Sequence, residues 1–208
     1  MKFQPFNHFQ EIDHSKRNLP HWQQPAACYF ITFRLGDSLP QSLIEQWKSE
    51  LDIWMPLHPK PWTAEIEAEF HERFTERRQE WLDAGHGSCH LRSAELRALV
   101  RASLVKFDQT RYDLDSFVIM PNHVHLIWQL RPGQDLSKEL KGLKGATARA
   151  CNLSLGIGGT FWMDESYDRI VRDWDELTAF RNYIINNSVK ARLRPHEYTV
   201  ESPHVLTP

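Results

Sequence analysis

Apolar positions along this chain follow two different periods. "ACYFITFRL" (27–35) is a short β-branched and aromatic run closed by Gly36-Asp37, and it reads as a strand. Leu43, Ile44, Trp47, Leu51 and Trp54 then recur at helical spacing until the Pro-rich "MPLHPKPW" breaks the pattern. Ile66, Phe70, Phe74 and Trp81 place a second helix over about 64–82. "DAGHGSCH" is a loop, and "SAELRALVRASLVKFD" is a third helix with Ser93 as its N-cap. The period then drops to two. "RYDLDSFVIM" and "HVHLIWQL" are strands joined by Pro121-Asn122, a link short enough to make them antiparallel neighbours. "DLSKELKGLKGATARACNLSL" is a helix with Leu136, Leu140, Leu143 and Ala146 inward. "GIGGT" interrupts, "FWMDESYDRIVRD" shows no clear period, and "WDELTAFRNYIINNSV" is the last strong helix. This order, a strand, several helices, two strands and two helices, predicts an α+β fold, an antiparallel sheet with helices packed on it. Residues 1–26 read as a polar N-terminal arm with Pro5, Pro20 and Pro25, and 195–208 as an irregular tail.

Composition adds limits rather than a function. With 208 residues, 41% hydrophobic and 25% charged, the chain can bury one real core. A net charge of −2 excludes an overall basic field. The charge is uneven, however. Thr63 to Gly85 holds seven acids against three bases, whereas Arg131 to Arg194 holds eleven bases against eight acids, 11 − 8 = +3. A polyanion would therefore meet the C-terminal half. Three widely spaced cysteines, Cys28, Cys89 and Cys151, make no disulfide framework and point to a reducing compartment. The first residues lack the apolar core of a signal peptide, and no apolar run approaches the ~20 residues that span a bilayer. A soluble cytoplasmic protein is the expectation.

The chemistry starts from "FVIMPNHVHLIWQL" (117–130). Side chains alternate on a strand, so His123 and His125 share one face. Two imidazoles at i, i+2 can chelate a divalent metal; the plain alternative is a pair of half-exposed sheet histidines. Neither a cupin-like nor an amidohydrolase barrel fits. No Glu follows on the same strand, and the pair sits past the midpoint of a short chain. Leu177, Phe180 and Ile184 form the buried stripe of the last helix, and Tyr183 and Asn187, four apart, share a face at its edge. Two histidines and Asn187 can hold Mg²⁺ or Mn²⁺ while Tyr183 attacks phosphorus. The same residues can equally be a core-edge tyrosine and a C-capping asparagine. His86, Cys89 and His90 in "HGSCH" lack a fourth zinc ligand nearby.

"MPNHVHLIW", "LKGATAR", "FWMDESYDRIVRD" and "YIINNSVKARL", in this order and spacing, resemble the IS200-like (Y1) tyrosine transposases of the HUH endonuclease superfamily. The resemblance is greatest to the REP-associated tyrosine transposases and covers roughly residues 25–195. It implies a ferredoxin-like (RRM-like) antiparallel sheet with the histidine pair on a central strand. It also implies a divalent metal, Mg²⁺ or Mn²⁺, and a 5′-phosphotyrosine intermediate formed on single-stranded DNA beside a hairpin. His123 and His125 match the pair, Tyr183 the nucleophile, and Asn187 the position where relatives carry Gln or Asn as a ligand. Tyr167, in "DESYDRIVR", is a rival nucleophile, but no amide or acid shares a helical face with it. Ser188 stands where relatives often have Pro, and Arg192 where Gly is expected. The domain on this reading is 27–194, with a helical insertion over about 57–91.

DNA contacts are expected from Lys138, Lys141 and Lys144, which line one helix flank, and from Arg149, Arg169, Arg172, Arg181, Lys190 and Arg192. A solvated helix face explains any single lysine as well. Trp128 and Trp162 can stack bases or fill the core. Lys16 and Arg17 of the arm are further candidates for hairpin contact. The partner is hairpin-bearing single-stranded DNA, with no membrane, and the chain is a monomer or homodimer. A non-catalytic hairpin-binding protein and a metal-dependent RNase are the rival functions.

Overall fold

The computed structural model describes residues 2–7, 13–16, 20–59 and 61–203. The apolar run at 28–34 becomes strand β3 (Cys28–Arg34), buried along its whole length. Strands β4 (Tyr112–Ile119) and β5 (His123–Leu130) form the expected hairpin. Ile119 pairs with Val124 and Met120 N donates to His123 O, so Pro121-Asn122 is a two-residue turn. The stretch without a clear period yields a short strand, β6 (Tyr167–Ile170). The tail, read as irregular, contributes β7 (Thr199–Glu201). Both lie at the sheet's edges, and strands of four and three residues are too short for a period to declare itself. The five strands pair antiparallel in the order β6-β3-β5-β4-β7. Without β7, the first, second, third and fourth strands stand in the order fourth, first, third, second, which is the ferredoxin-like arrangement. Before them, β1 (Asp13–Lys16) and β2 (Pro20–Gln23) form a separate two-stranded ribbon.

The alternation along β3 and β5 divides the core into two layers. Tyr29, Ile31 and Phe33 with Val124, Leu126 and Trp128 face helices α4 (Ala94–Val105) and α5 (Leu136–Leu155), which bring Leu96, Val100 and Leu104, and Leu136, Leu140 and Leu143. Ser93 caps α4 by accepting from Leu96 N, as expected, and Asp135 caps α5 in the same way. Thr147 rather than Ala146 continues the α5 stripe, because it lies four residues after Leu143, whose carbonyl its hydroxyl bonds. Trp128 and Trp162 are both core residues. Trp128 packs on Tyr112 at 4.5 Å, and Trp162 packs on Phe33 at 4.7 Å and donates to Thr147 Oγ1. Their buried rings are not available as base-stacking platforms.

The other sheet face carries Cys28, Phe30, Val118 and Ile127, covered by α6 (Trp174–Lys190) through Leu177 and Ile184. His123 and His125 belong to this face. Phe3 packs here against Trp174, and Gln4 N donates to Gln129 Oε1, so the described start of the arm lies on the fold. Arg17 falls outside the described residues, and the side chain of Lys16 does too. Between β3 and α4, α1 (Gln41–Leu57), α2 (Ala64–Phe70) and α3 (Arg77–Asp83) form a helical subassembly around Trp54, Phe70 and Phe74. A wider π turn over His71–Glu76 joins α2 to α3 without a break.

One buried ion pair fastens α6 to the sheet. Arg181 Nε and Nη2 donate to both carboxylate oxygens of Asp115, at 2.9 and 2.6 Å, and the side chains are 14% and 2% exposed. Removing one partner leaves a buried charge without compensation. Arg181→Met is therefore expected to cost about 3–5 kcal/mol in urea unfolding. An Asp115→Asn change in the same chain should restore part of that loss, and a near-neutral Arg181→Met would contradict the clamp.

Candidate active site

The pleat that puts the two histidines on one face also puts them under α6. Both are completely buried. Register sets their neighbours on β3: His125 lies opposite Thr32 and His123 opposite Arg34. His125 Nδ1 is 2.7 Å from Thr32 Oγ1, and His123 Nδ1 is 2.7 Å from Asn122 Oδ1. The Asn122 amide is oriented by its own Nδ2, which donates to Leu82 O and His86 O at 3.1 and 3.2 Å. Its oxygen must then face His123, whose Nδ1 carries the proton. Both rings are anchored through Nδ1, which directs each Nε2 inward. Nδ1 anchoring of this kind is the arrangement that orients imidazoles for metal ligation. The rings lie 4.6 Å apart, nearly perpendicular.

Burial strips water from both imidazoles and disfavours their charged forms. His123 is pushed down from 6.5 to about 3, and His125 well below its ordinary value by burial and then by His123 beside it. Neutral imidazoles are the form that binds metal. His123 Nε2 also faces Asp83 Oδ1 at 3.7 Å. With His123 neutral, that contact is not an ion pair.

Helix α6 brings Tyr183 and Asn187 to the same pocket. Tyr183 Oη is 3.4 Å from His125 Nε2, and its ring meets His125 at 5.1 Å and Phe30 at 5.8 Å. Burial raises the phenol well above its ordinary value; the Asp83 charge adds to this, and the Asn187 amide opposes it. Although the Asn187 amide lies close enough to favour the phenolate, neither of its polar atoms makes a hydrogen bond of normal geometry. Both are fully buried, which is costly for an amide. A cation beside His123 and His125 would satisfy the Asn187 oxygen, and two neutral imidazoles with an amide oxygen are donors a divalent metal accepts. The residues therefore fit a divalent metal. Among the described residues no three His, Cys, Asp or Glu side chains converge as a ready-made cage, so Asn187 is needed as the third donor. Tyr167 sits opposite Thr32 on the edge strand β6. Burial raises its phenol too, against the pull of Arg169.

The basic candidates separate into engaged and exposed groups. Lys138, Lys141 and Lys144 line a groove of about 520 Å³ between α5 and the 159–168 segment. Lys144 is already committed there, donating to Asp164 O and Ser166 Oγ, whereas Lys138 and Lys141 are exposed. Arg169 is bound to Glu176 at 2.6 Å, Arg172 to Glu67 at 3.4 Å, and Arg181 to Asp115. Arg149 and Arg192 are exposed, and exposed Lys190 places Nζ 5.6 Å over the Tyr183 ring. Arg192 has φ +52, the left-handed geometry that explains why Gly is expected at this helix end.

Four neighbours of the pocket escaped sequence reasoning. Asp83 lay inside a run of acids that read as an ordinary charged helix, and Asn122 read as a turn residue. Thr32 and Arg34 were the polar positions of one parity in an otherwise apolar strand, and that parity was their signal. Arg34 is buried, donates from Nη1 to Ser38 Oγ, and has an Nε without an acceptor. Burial and the neighbouring Arg78 pull its guanidinium down to about 10.

Comparison with known proteins finds a partial match to one family. Residues 93–187 match the family described as "Transposase IS200 like", a span that contains His123, His125, Tyr183 and Asn187. The REP-associated tyrosine transposase of Escherichia coli K12 is 26% identical over 94 residues, 44% of this chain and 54% of that protein. The match thus spans about half the relative's length. Among solved structures, a REP-associated tyrosine transposase bound to a REP hairpin aligns with TM-score 0.49 and 16% identity over 84% of this chain and 74% of that one. A putative transposase from Deinococcus radiodurans aligns with TM-score 0.33 and 15% identity, over 83% and 95%. No helix among the described residues is long and apolar enough to cross a membrane.

The depressed histidines make stability depend on pH. In the unfolded chain both take up a proton near 6.5, while the folded chain protonates His123 only near about 3. Between those values the unfolded chain binds more protons, so acidification favours unfolding; above pH 7 neither histidine contributes. Urea midpoints measured from pH 7 to 4 should fall less steeply in His123→Gln than in wild type. Equal slopes would contradict a neutral buried His123.

Proposed function

From the match of residues 93–187 to the IS200-like transposase family, we propose that this chain is a metal-dependent single-stranded DNA transesterase of the HUH type. The observation that carries the reading is the convergence of α6 on β5: Tyr183 Oη stands 3.4 Å from His125 Nε2, with the unsatisfied Asn187 amide on the next helical turn. His123, His125 and Asn187 would hold the metal. When bound, Mg²⁺ or Mn²⁺ supplies Lewis-acid neutralisation of charge on a phosphodiester. Tyr183 then acts as the nucleophile. Its oxygen bonds to phosphorus, the bond to the 3′-oxygen breaks, and that oxygen leaves as a 3′-OH, leaving a 5′-phosphotyrosine. Attack by another 3′-OH reverses the step and rejoins the strand. At rest burial keeps Tyr183 protonated, which holds the nucleophile back until the centre is loaded.

The substrate class is single-stranded DNA beside a hairpin, supported by the REP-associated names of the relatives and by the hairpin in one of them. Lys138, Lys141 and Arg149 on α5 supply exposed cations for its phosphates. Since both histidines are completely buried, a strand reaches them only once the elements covering them shift.

Incubating the protein with Mn²⁺ and labelled hairpin DNA tests the reading. Wild type and Tyr167→Phe should form a denaturation-resistant DNA adduct, and Tyr183→Phe should form none. An adduct in Tyr183→Phe would overturn the nucleophile. Binding without any adduct in wild type would make the protein a hairpin binder, and cutting of RNA and DNA alike without a tyrosyl link would make it a nuclease. Lys138→Ala and Lys141→Ala should each weaken single-strand binding and lower its log–log salt slope by about 0.7. An unchanged slope would remove them from the DNA path.

A further inference from the structure

The helical segment between β3 and α4 plays no part in the chemistry above, yet its end is fastened to the histidine strand. The two carbonyls that hold Asn122 Nδ2 belong to Leu82 and His86, on either side of Asp83. They fix the amide, the amide fixes the proton of His123 on Nδ1, and the ring's lone pair is therefore on Nε2. The atom it faces is a carboxylate oxygen, Asp83 Oδ1, at 3.7 Å. That gap is too long for a hydrogen bond, and two electron-rich atoms turned toward each other make paired donors for a cation. Ligand bonds of about 2.1 Å meeting at a right angle separate two donors by about 3 Å. The His123–Asp83 pair therefore needs to close by less than about 1 Å to share a cation.

A second observation points to the same cation. Asn187, from α6, is completely buried with neither amide atom satisfied. The Asp83 charge and the Asn187 amide both act on the Tyr183 phenol. The donors from β5 and α6 are all neutral, so an ion held by them alone keeps its whole charge. A carboxylate would offset part of that charge and add the hard oxygen that Mg²⁺ and Mn²⁺ prefer.

We propose that Asp83 is a fourth protein ligand of the divalent cation at His123, His125 and Asn187, so that the added helical segment completes the metal site. This rests on the transesterase reading for the presence and class of the metal, and on geometry for Asp83. It also gives the acidic helix a function outside the family-matched span of 93–187.

Isothermal titration of the full chain with Mn²⁺, without DNA, tests it. Asp83→Asn should bind Mn²⁺ at least about 10-fold more weakly than wild type. Glu80→Gln, which removes an exposed charge from the same helix, should bind like wild type. Thermal unfolding without metal checks that Asp83→Asn is folded; if it is not, Asp83→Glu, which keeps the carboxylate, should bind more tightly than Asp83→Ser. Equal affinity of wild type and Asp83→Asn, or an equal loss in Glu80→Gln, overturns the proposal. The adduct assay separates the two claims. Tight, Asp83-dependent Mn²⁺ binding without an adduct refutes the transesterase and leaves the Asp83 site standing. An adduct in wild type with unchanged Mn²⁺ affinity in Asp83→Asn refutes Asp83 alone.

Discussion

Burying His123 and His125 side by side on a central strand forces each imidazole to be neutral and each ring to have a polar anchor. The rest of the pocket follows from that constraint. Thr32 is the polar residue that an otherwise apolar strand carries opposite His125, and Asn122 is the turn residue that serves His123. With Nδ1 of each ring so engaged, the two Nε2 atoms are directed into the pocket, toward Tyr183 from His125 and toward Asp83 from His123. Dry, neutral and pre-oriented imidazoles are costly as core residues but well suited to a cation.

The second sheet face does what the first cannot. Helices α4 and α5 cover one face with aliphatic and aromatic packing, whose polar atoms are bonded within it, as Trp162 is to Thr147 and Tyr112 to Leu104 O. On the other face α6 must supply both packing and chemistry. Leu177 and Ile184 bury its stripe, Arg181 fastens it to Asp115, and Tyr183 and Asn187 occupy the edge facing the histidines. Several arginines that sequence alone assigns to DNA are thus spent inside the fold. Arg181 and Arg169 are tied to Asp115 and Glu176, leaving the exposed cations of α5, with Lys190 and Arg192, as the candidates for phosphate contact.

The central strands, the hairpin turn and the helix carrying Tyr183 were legible because their patterns extend over seven residues or more and the helix caps are ordinary. Strands β6 and β7 were not, since strands of four and three residues on a sheet edge carry too little alternation. The pocket was half legible for the same kind of reason. His123 and His125 show themselves by strand parity, and Tyr183 and Asn187 by helical spacing, which are local rules. Asp83 and Asn122 join the pocket only because the chain folds the end of α3 against a turn about forty residues later, and no local pattern announces that. Thr32 and Arg34 shared the histidines' parity, but strand register, which decides what faces them, is not readable from one strand.

The central claim is that Tyr183, and not Tyr167, becomes bonded to DNA. The most direct measurement is tryptic peptide mapping of the DNA adduct by mass spectrometry after nuclease trimming. Tyr183 falls in the peptide Asn182–Lys190 and Tyr167 in Ala150–Arg169. Added nucleotide mass on Asn182–Lys190 is the expected result. Nucleotide mass on Ala150–Arg169 would contradict it.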